Sequence, residues 1–181
     1  MNSANKKLRI QLRLRGNGWA DCSVSTPEGD FEMGSFGDCS DAFGDLLRAG
    51  LLIATGATSA SVSFDGEPME WRWIIERRLF NPLLVKVATF PDIYPHAPDA
   101  EGDLLFSTEC SPDDFAKAVA EAAQGLLEEV GLDGFASRWR LTGFPLRALR
   151  ALQSALAIVE PEPLPTTLPG AGGWTIIASL D

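Results

Sequence analysis

The sequence of 181 residues has little of several residue types on which catalytic and metal sites depend, with one histidine, one tyrosine and three cysteines. The cysteines (Cys22, Cys39 and Cys110) form no CxxC pair and leave an odd thiol after any pairing, so no zinc site is evident. A Ser-His-Asp or Cys-His arrangement would have to use His96, which stands in a proline-rich stretch without a nucleophile nearby in sequence. We therefore predict no metal, no cofactor and no enzymatic activity.

Basic residues and long apolar runs are also scarce. There are 15 Lys and Arg against 25 Asp and Glu, a formal net charge of −10. Nucleic acids and anionic membranes both require a basic footprint, which this balance does not favour. No apolar run reaches the roughly 18–20 residues that span a bilayer, and the first residues lack the apolar centre of a signal peptide. These observations predict a cytoplasmic protein without a nucleic-acid or membrane partner.

The negative charge is concentrated in two blocks. Residues 21–45 contain seven acids and no base, and residues 92–134 contain eleven acids and one base. Residues 1–20 and 138–150 are basic. Two interpretations stay open: the blocks pair with each other on the folded surface, where exposed pairs contribute little, or an acidic face steers a basic partner.

Strict alternation of apolar and polar residues predicts β-strands, whereas apolar residues three and four apart predict helices. Ser111-Pro112-Asp113-Asp114 is the most specific local signal, because serine caps a helix and proline suits its first position. Asp38 or Ser40 is expected to cap the first helix. Strands are predicted at 7–15, 19–25, 31–33, 59–64, 69–78, 84–90 and 103–108, and helices at 38–55, 111–130 and 145–159, with a short helical piece near 135–140.

These elements predict an α+β fold, with an antiparallel sheet of five to seven strands and two or three helices packed on one face. Residues 1–159 form the single domain, and 160–181 form a Pro/Gly-rich tail. The tail contains a candidate strand, Trp174 to Leu180, that could pair with the chain's own sheet or with another subunit. The expected state is a monomer or a homodimer.

Two features have competing interpretations. Trp71 and Trp73 share one face of a predicted strand and either pack in the core or form an exposed aromatic patch, while Glu70 and Arg72 are expected on the opposite face. Asp38, Asp41 and Asp45 would share one helix face, as a cation site or as a capped and solvated helix start. An enzyme using Asp38, Asp41 and Glu70 in a cleft is an alternative.

The sequence resembles an uncharacterised family of small acidic bacterial proteins in four segments. They are Ser35-Phe36-Gly37-Asp38, Val62-Ser63-Phe64-Asp65-Gly66-Glu67-Pro68, Glu70-Trp71-Arg72-Trp73 and Phe144-Pro145-Leu146. The resemblance covers residues 7–158 and implies no catalytic residue and no cofactor. In size and charge the chain also resembles immunity proteins of bacterial polymorphic toxin systems, which neutralise a cognate toxin by binding it.

We therefore predict a non-catalytic protein-binding domain, an immunity-type inhibitor whose partner is a basic toxin domain. Acidic segments would steer association, and an aromatic among Phe31, Phe36 and Tyr94 would insert into the partner. An assembly protein that oligomerises through its C-terminal strand, or a carboxylate-based enzyme, is the alternative. The candidate partner-binding residues are Asp30, Phe31, Glu32, Phe36, Asp38, Asp41, Tyr94, Asp99, Glu101 and Asp103.

Overall fold

The computed structural model describes residues 7–79 and 82–159. Within them lie seven strands and three helices, so the α+β class is confirmed. The predicted strand in the tail lies outside the described residues. The elements are β1 (Arg9–Gly16), β2 (Trp19–Thr26), β3 (Gly29–Gly37), α1 (Ala42–Ala54), β4 (Ser59–Asp65), β5 (Glu70–Arg77), β6 (Leu83–Phe90), β7 (Asp103–Cys110), α2 (Pro112–Arg138) and α3 (Leu146–Val159).

The strands form two antiparallel sheets, and the prediction of a single sheet is wrong. The first sheet has the order β1-β2-β3 and the second has the order β4-β5-β6-β7. Within each sheet, consecutive strands pair as a meander. The sheets separate because β3 continues into α1 instead of turning back to pair with β4.

β3 lies across the inner face of the second sheet and joins the two sheets in one core. Three of its side chains contact three different strands: Phe31 stacks on Phe106 of β7 at 5.0 Å between ring centroids, Met33 Sδ accepts a hydrogen bond from Trp73 Nε1 of β5 at 3.3 Å, and Phe36 contacts Phe64 of β4 at 4.9 Å. Trp73 is wholly buried, and Trp71 is half-buried against this core. The two tryptophans therefore form no exposed patch.

The helices lie against both sheets instead of one face of a single sheet. α1 packs on β4, α2 packs on β1, and α3 contacts both α1 and α2. The predicted cap of α2 is confirmed, since the Ser111 hydroxyl accepts from the Asp114 N–H at 3.0 Å. α1 is capped by Asp41, not by Asp38 or Ser40. Gly131 interrupts α2 with a φ of 65°, which confirms the predicted end of the regular helix there.

In the described part of the chain, no helix is both long and apolar enough to cross a lipid bilayer.

Candidate functional site

A buried ion pair lies on the outer face of the second sheet, on the side of β5 opposite the tryptophans. Glu70 and Arg72 of β5 are both 0% exposed. The Arg72 guanidinium donates from Nε to Glu70 Oε1 at 2.8 Å and from Nη2 to Glu70 Oε2 at 2.7 Å. Ser63 on the neighbouring strand also donates to Glu70 Oε1. On this face of β5, Glu70 and Arg72 are buried, whereas Glu76 is exposed.

The cover over this pair is the connection from β6 to β7, and we call its residues 91–99 the tyrosine segment. Its Ala97 packs on a second small apolar cluster formed by Ile74, Ala88 and Phe90. Just beyond the segment, the backbone of Gly102 passes so close to the Phe90 ring that an added Cβ would overlap it. A sheet face that alternation assigns to solvent is thus buried by a loop.

An acidic depression of about 520 Å³ lies beside this cover. All three charged residues that line it are acids, and its remaining walls are apolar or aromatic. Its lining residues are Asp65, Glu67, Pro68, Asp92, Ile93 and Tyr94. The strand register places Asp65 directly opposite Glu70, so the depression adjoins the buried ion pair.

Tyr94 is the exposed aromatic residue of the depression. Its side chain is 81% exposed, which is unusual for a large aromatic residue. The backbone next to it is held by a hydrogen bond from the Ile93 N–H to the Pro68 carbonyl at 3.1 Å. The chain contains no other tyrosine. The exposed ring and the three carboxylates give this surface both an apolar contact and a negative charge.

Cys39, in the turn before α1, lies beside two of these acids. Its thiol donates to Glu67 Oε1 at 3.2 Å, and donor atoms of Cys39, Asp65 and Glu67 all lie within 4.8 Å of one another. The hydrogen bond to Glu67 raises the pKa of the Cys39 thiol, and the neighbouring carboxylates add to the effect. These three side chains could hold a metal ion only after the thiol loses its proton. The carboxylates oppose that loss.

This contact predicts that Cys39 reacts slowly despite its exposure. Glu67→Gln removes the charged acceptor, so the thiol pKa should fall towards its ordinary value and the thiolate fraction at pH 8 should rise. We expect alkylation of Cys39 by iodoacetamide to become faster by at least about threefold. Peptide mass spectrometry over time measures this rate, with Glu101→Gln as the control.

The other two thiols provide internal references in that experiment. Burial raises the pKa of Cys110 to about 12, and it also raises the pKa of the wholly buried Cys22. Both should stay unmodified in the folded protein. Equal alkylation rates for Cys39 in the wild type and in Glu67→Gln would contradict a role for Glu67 in holding the thiol proton.

The candidate residues from the β6–β7 connection lie on or next to the tyrosine segment. Tyr94 lines the acidic depression, and Asp99 is bound to the Arg72 guanidinium at 2.8 Å. Glu101 and Asp103 are exposed just after the segment, in a short 3-10 turn and at the start of β7. Of these four, only Tyr94 lines the depression.

The candidates at the β3–α1 turn have internal roles. Phe36 is 0% exposed and contacts Phe43, Phe64 and Trp139, so it cannot be the aromatic residue that inserts into a partner. Phe36 is therefore a core residue, and not the exposed aromatic residue that was expected. Asp38 is 9% exposed and accepts from the Arg140 N–H at 2.9 Å.

Asp41 also has an internal role. It accepts from the Gly44 N–H and pairs with Arg48 at 2.8 Å, which favours the interpretation as a helix start. The carboxylates of the enzyme alternative, Asp38, Asp41 and Glu70, are each bound to a different partner.

The candidates at the start of β3 form a separate group. Asp30 and Glu32 are exposed, whereas Phe31 between them is half-buried by its stacking on Phe106. Glu32 contributes to a small polar hollow of about 110 Å³ on the first sheet, which Arg13 and Asp21 also line. The ten candidates therefore do not form one surface.

Three acids of the depression, Asp65, Glu67 and Asp92, were missed in the sequence. Asp65 and Glu67 belong to Asp65-Gly66-Glu67-Pro68, where glycine and proline indicate a turn. Acids are common in turns, so these two do not by themselves indicate a site. Asp92 begins the second acidic block but carries no individual signal. A usable clue was that β4-β5 and β6-β7 are neighbouring hairpins of one meander, because their two connections then lie at the same end of the sheet.

Comparison with known proteins gives no relative from which a role could be transferred. No protein-family model matches the chain, and neither the curated proteins nor the solved structures include a match to it.

Proposed function

We propose that the chain is a non-catalytic protein-binding domain, an immunity-type inhibitor that neutralises a cognate bacterial toxin by binding it directly. The observation that supports this proposal is the acidic depression with Tyr94 exposed at its margin. The assignment to the immunity class comes from the resemblance in size and charge. In this proposal the depression is the binding surface, and its charge is the reason for proposing a basic partner.

The depression fits a basic partner better than a neutral one. Three carboxylates with no base among the lining residues produce a local negative potential that attracts cationic side chains. Such complementarity raises the association rate and disfavours acidic partners. Pro68 and Ile93 can contact the methylene groups of an inserted Arg or Lys.

Tyr94 is suited to contribute binding free energy in the same contact. Tyrosine is enriched among the residues that dominate interfaces, because it covers a large area with few rotatable bonds. Its exposed ring can also receive a cation on its face. The depression would thus combine electrostatic steering with an aromatic contact.

The product of the adjacent gene is the partner to test, because immunity genes lie beside the genes of their toxins. Expression of that product alone should stop growth, and co-expression of this chain should restore it. The two purified proteins should form a stoichiometric complex in light scattering. Growth arrest that co-expression leaves unchanged, together with the absence of a complex, would count against the proposal.

Neutralising the three acids of the depression should lower the association rate while the fold stays the same. The triple variant Asp65→Asn, Glu67→Gln, Asp92→Asn keeps the side-chain shapes and removes three charges. We expect the association rate with the adjacent gene product to fall about tenfold at low salt, with a weaker salt dependence. Stopped-flow kinetics at several ionic strengths measure both quantities.

A matched variant controls for net charge in that comparison. Glu121→Gln, Glu129→Gln, Asp133→Asn removes three exposed acids from α2. It should leave the association rate near that of the wild type. An equal loss of rate in both variants would mean that overall charge, and not the depression, governs binding.

A further inference from the structure

The Arg72 guanidinium uses all five of its N–H donors, and three of them bind the tyrosine segment. Two donors bind the Glu70 carboxylate within β5. Nη1 donates to the Ala97 carbonyl at 2.7 Å and to Asp99 Oδ1 at 2.8 Å, and Nη2 lies 3.0 Å from His96 Nδ1. Because a guanidinium can only donate, His96 Nδ1 must be the acceptor.

Burying the Arg72–Glu70 ion pair costs free energy, so its presence calls for an explanation. Taking two charges out of water carries a large desolvation penalty, and an apolar pair of similar size would often serve the fold as well. One side of the guanidinium is already apolar, since the centroid of the Phe90 ring lies 3.9 Å from the Arg72 guanidinium carbon, and Ile74 and Ala88 cluster with Phe90. What an apolar pair could not supply is the set of three hydrogen bonds to the segment.

The three residues that accept these hydrogen bonds closely follow Tyr94 in the sequence. The bonds hold residues 96, 97 and 99, while the Ile93 N–H bonds to Pro68 on the other side. Tyr94 itself is exposed, and its position depends on the backbone on both sides of it. Residues 91–98 form no helix or strand, and only a short 3-10 turn begins at the end of the segment, at Asp99. The part around Tyr94 therefore has no secondary structure of its own to fix it.

We propose that Arg72 is a positioning residue for partner binding, which fixes the tyrosine segment in the conformation that presents Tyr94. The part of this inference that concerns affinity rests on the function proposed above. The part that concerns the order of the segment holds for the free protein. A segment that is ordered before binding loses less conformational entropy when the partner arrives.

The expected change in affinity depends on the population of the conformation in which the segment presents Tyr94 to the partner. If loss of the three bonds reduces that population to about a tenth, the apparent Kd rises about tenfold. The dissociation constant should therefore change in a variant that alters no residue of the depression. A merely structural role for Arg72 would lower stability and leave the affinity of the folded fraction unchanged.

The presence of one tyrosine and one histidine makes the segment directly observable. Fluorinated tyrosine gives a single fluorine NMR signal from Tyr94, and nitrogen NMR reports which ring nitrogen of His96 carries the proton. The test variant is Glu70→Met/Arg72→Met, which removes both charges together so that neither is left buried alone. The control is Arg78→Met, which breaks an exposed ion pair with Glu109 near the opposite end of β5.

In the wild type and the control we expect one fluorine signal with the relaxation of an ordered site, and a His96 Nδ1 that accepts a hydrogen bond. In the double variant we expect faster local motion at Tyr94 and an apparent Kd for the adjacent gene product about tenfold higher. Asp99→Ala, which removes one bond of a half-exposed side chain, should give a smaller change in the same direction. It serves as the second variant if the double variant does not fold.

The outcomes separate this inference from the proposed function. A folded double variant with wild-type relaxation and wild-type affinity would overturn the positioning role, as would increased motion without any loss of affinity. Increased motion in the variant together with no binding by the wild type would support the ordering role of Arg72 and contradict the proposed function.

Discussion

Phe36→Ala is expected to lower the free energy of unfolding by about 3–5 kcal/mol, since it removes a wholly buried aromatic side chain from a packed core. The ring meets Phe64 and Trp139 edge to face, with centroids at 4.9 and 5.8 Å, and it also contacts Phe43 at 5.6 Å. These neighbours come from a strand, a helix and the residue that follows another helix, so they cannot all move to fill the cavity. Denaturant unfolding followed by tryptophan fluorescence measures the loss.

Phe31→Ala is the matched control, because it makes the same substitution on the same strand. Phe31 is half-buried and stacks on one ring, so its loss should be clearly smaller. The comparison also tests whether Phe36 is a core residue or an interface residue. If Phe36→Ala left stability unchanged and abolished binding to the adjacent gene product, Phe36 would be an interface residue after all.

The second large effect concerns the buried ion pair. Arg72→Met leaves the Glu70 carboxylate buried without its partner, and we expect a loss of about 3–5 kcal/mol in the free energy of unfolding. The double variant Glu70→Met/Arg72→Met removes the unpaired charge as well. It should return to within about 1 kcal/mol of the wild type, because apolar replacement of a buried pair is often neutral.

Chemical denaturation of the wild type, Glu70→Met, Arg72→Met and the double variant completes this test. The result expected is strong non-additivity, since the two residues interact directly. A double variant as unstable as Arg72→Met would show that the pair itself stabilises the sheet. In that case, its retention would need no explanation from the tyrosine segment.

The sequence predicted elements well where a local pattern determines them. Alternation over residues 7–15 predicted the first strand with Leu8, Ile10, Leu12 and Leu14 inward, and all four are buried. The Ser111-Pro112 signal located the start of α2, and Gly131 marked its break. These features depend on side-chain periodicity and on backbone groups within one turn, which a single sequence contains.

What could not be predicted depends on contacts between distant segments. Alternation in β5 separates two faces, but it cannot show that residues 91–99 cover the face that carries Arg72. It likewise cannot show that β3 joins a different sheet from β4. Asp65 and Asp92 become neighbours only when two hairpins lie side by side, so the acidic depression had only an indirect signal in the sequence, its charge and the order of the predicted hairpins.

The position of β3 has a consequence for how the molecule loses its structure. The backbone of β3 is hydrogen-bonded in the first sheet. Its side chains contact three separate strands of the second sheet. Separation of the sheets would expose all three contacts at once. The two sheets therefore form one cooperative unit, and damage to either is transmitted to the other through this strand.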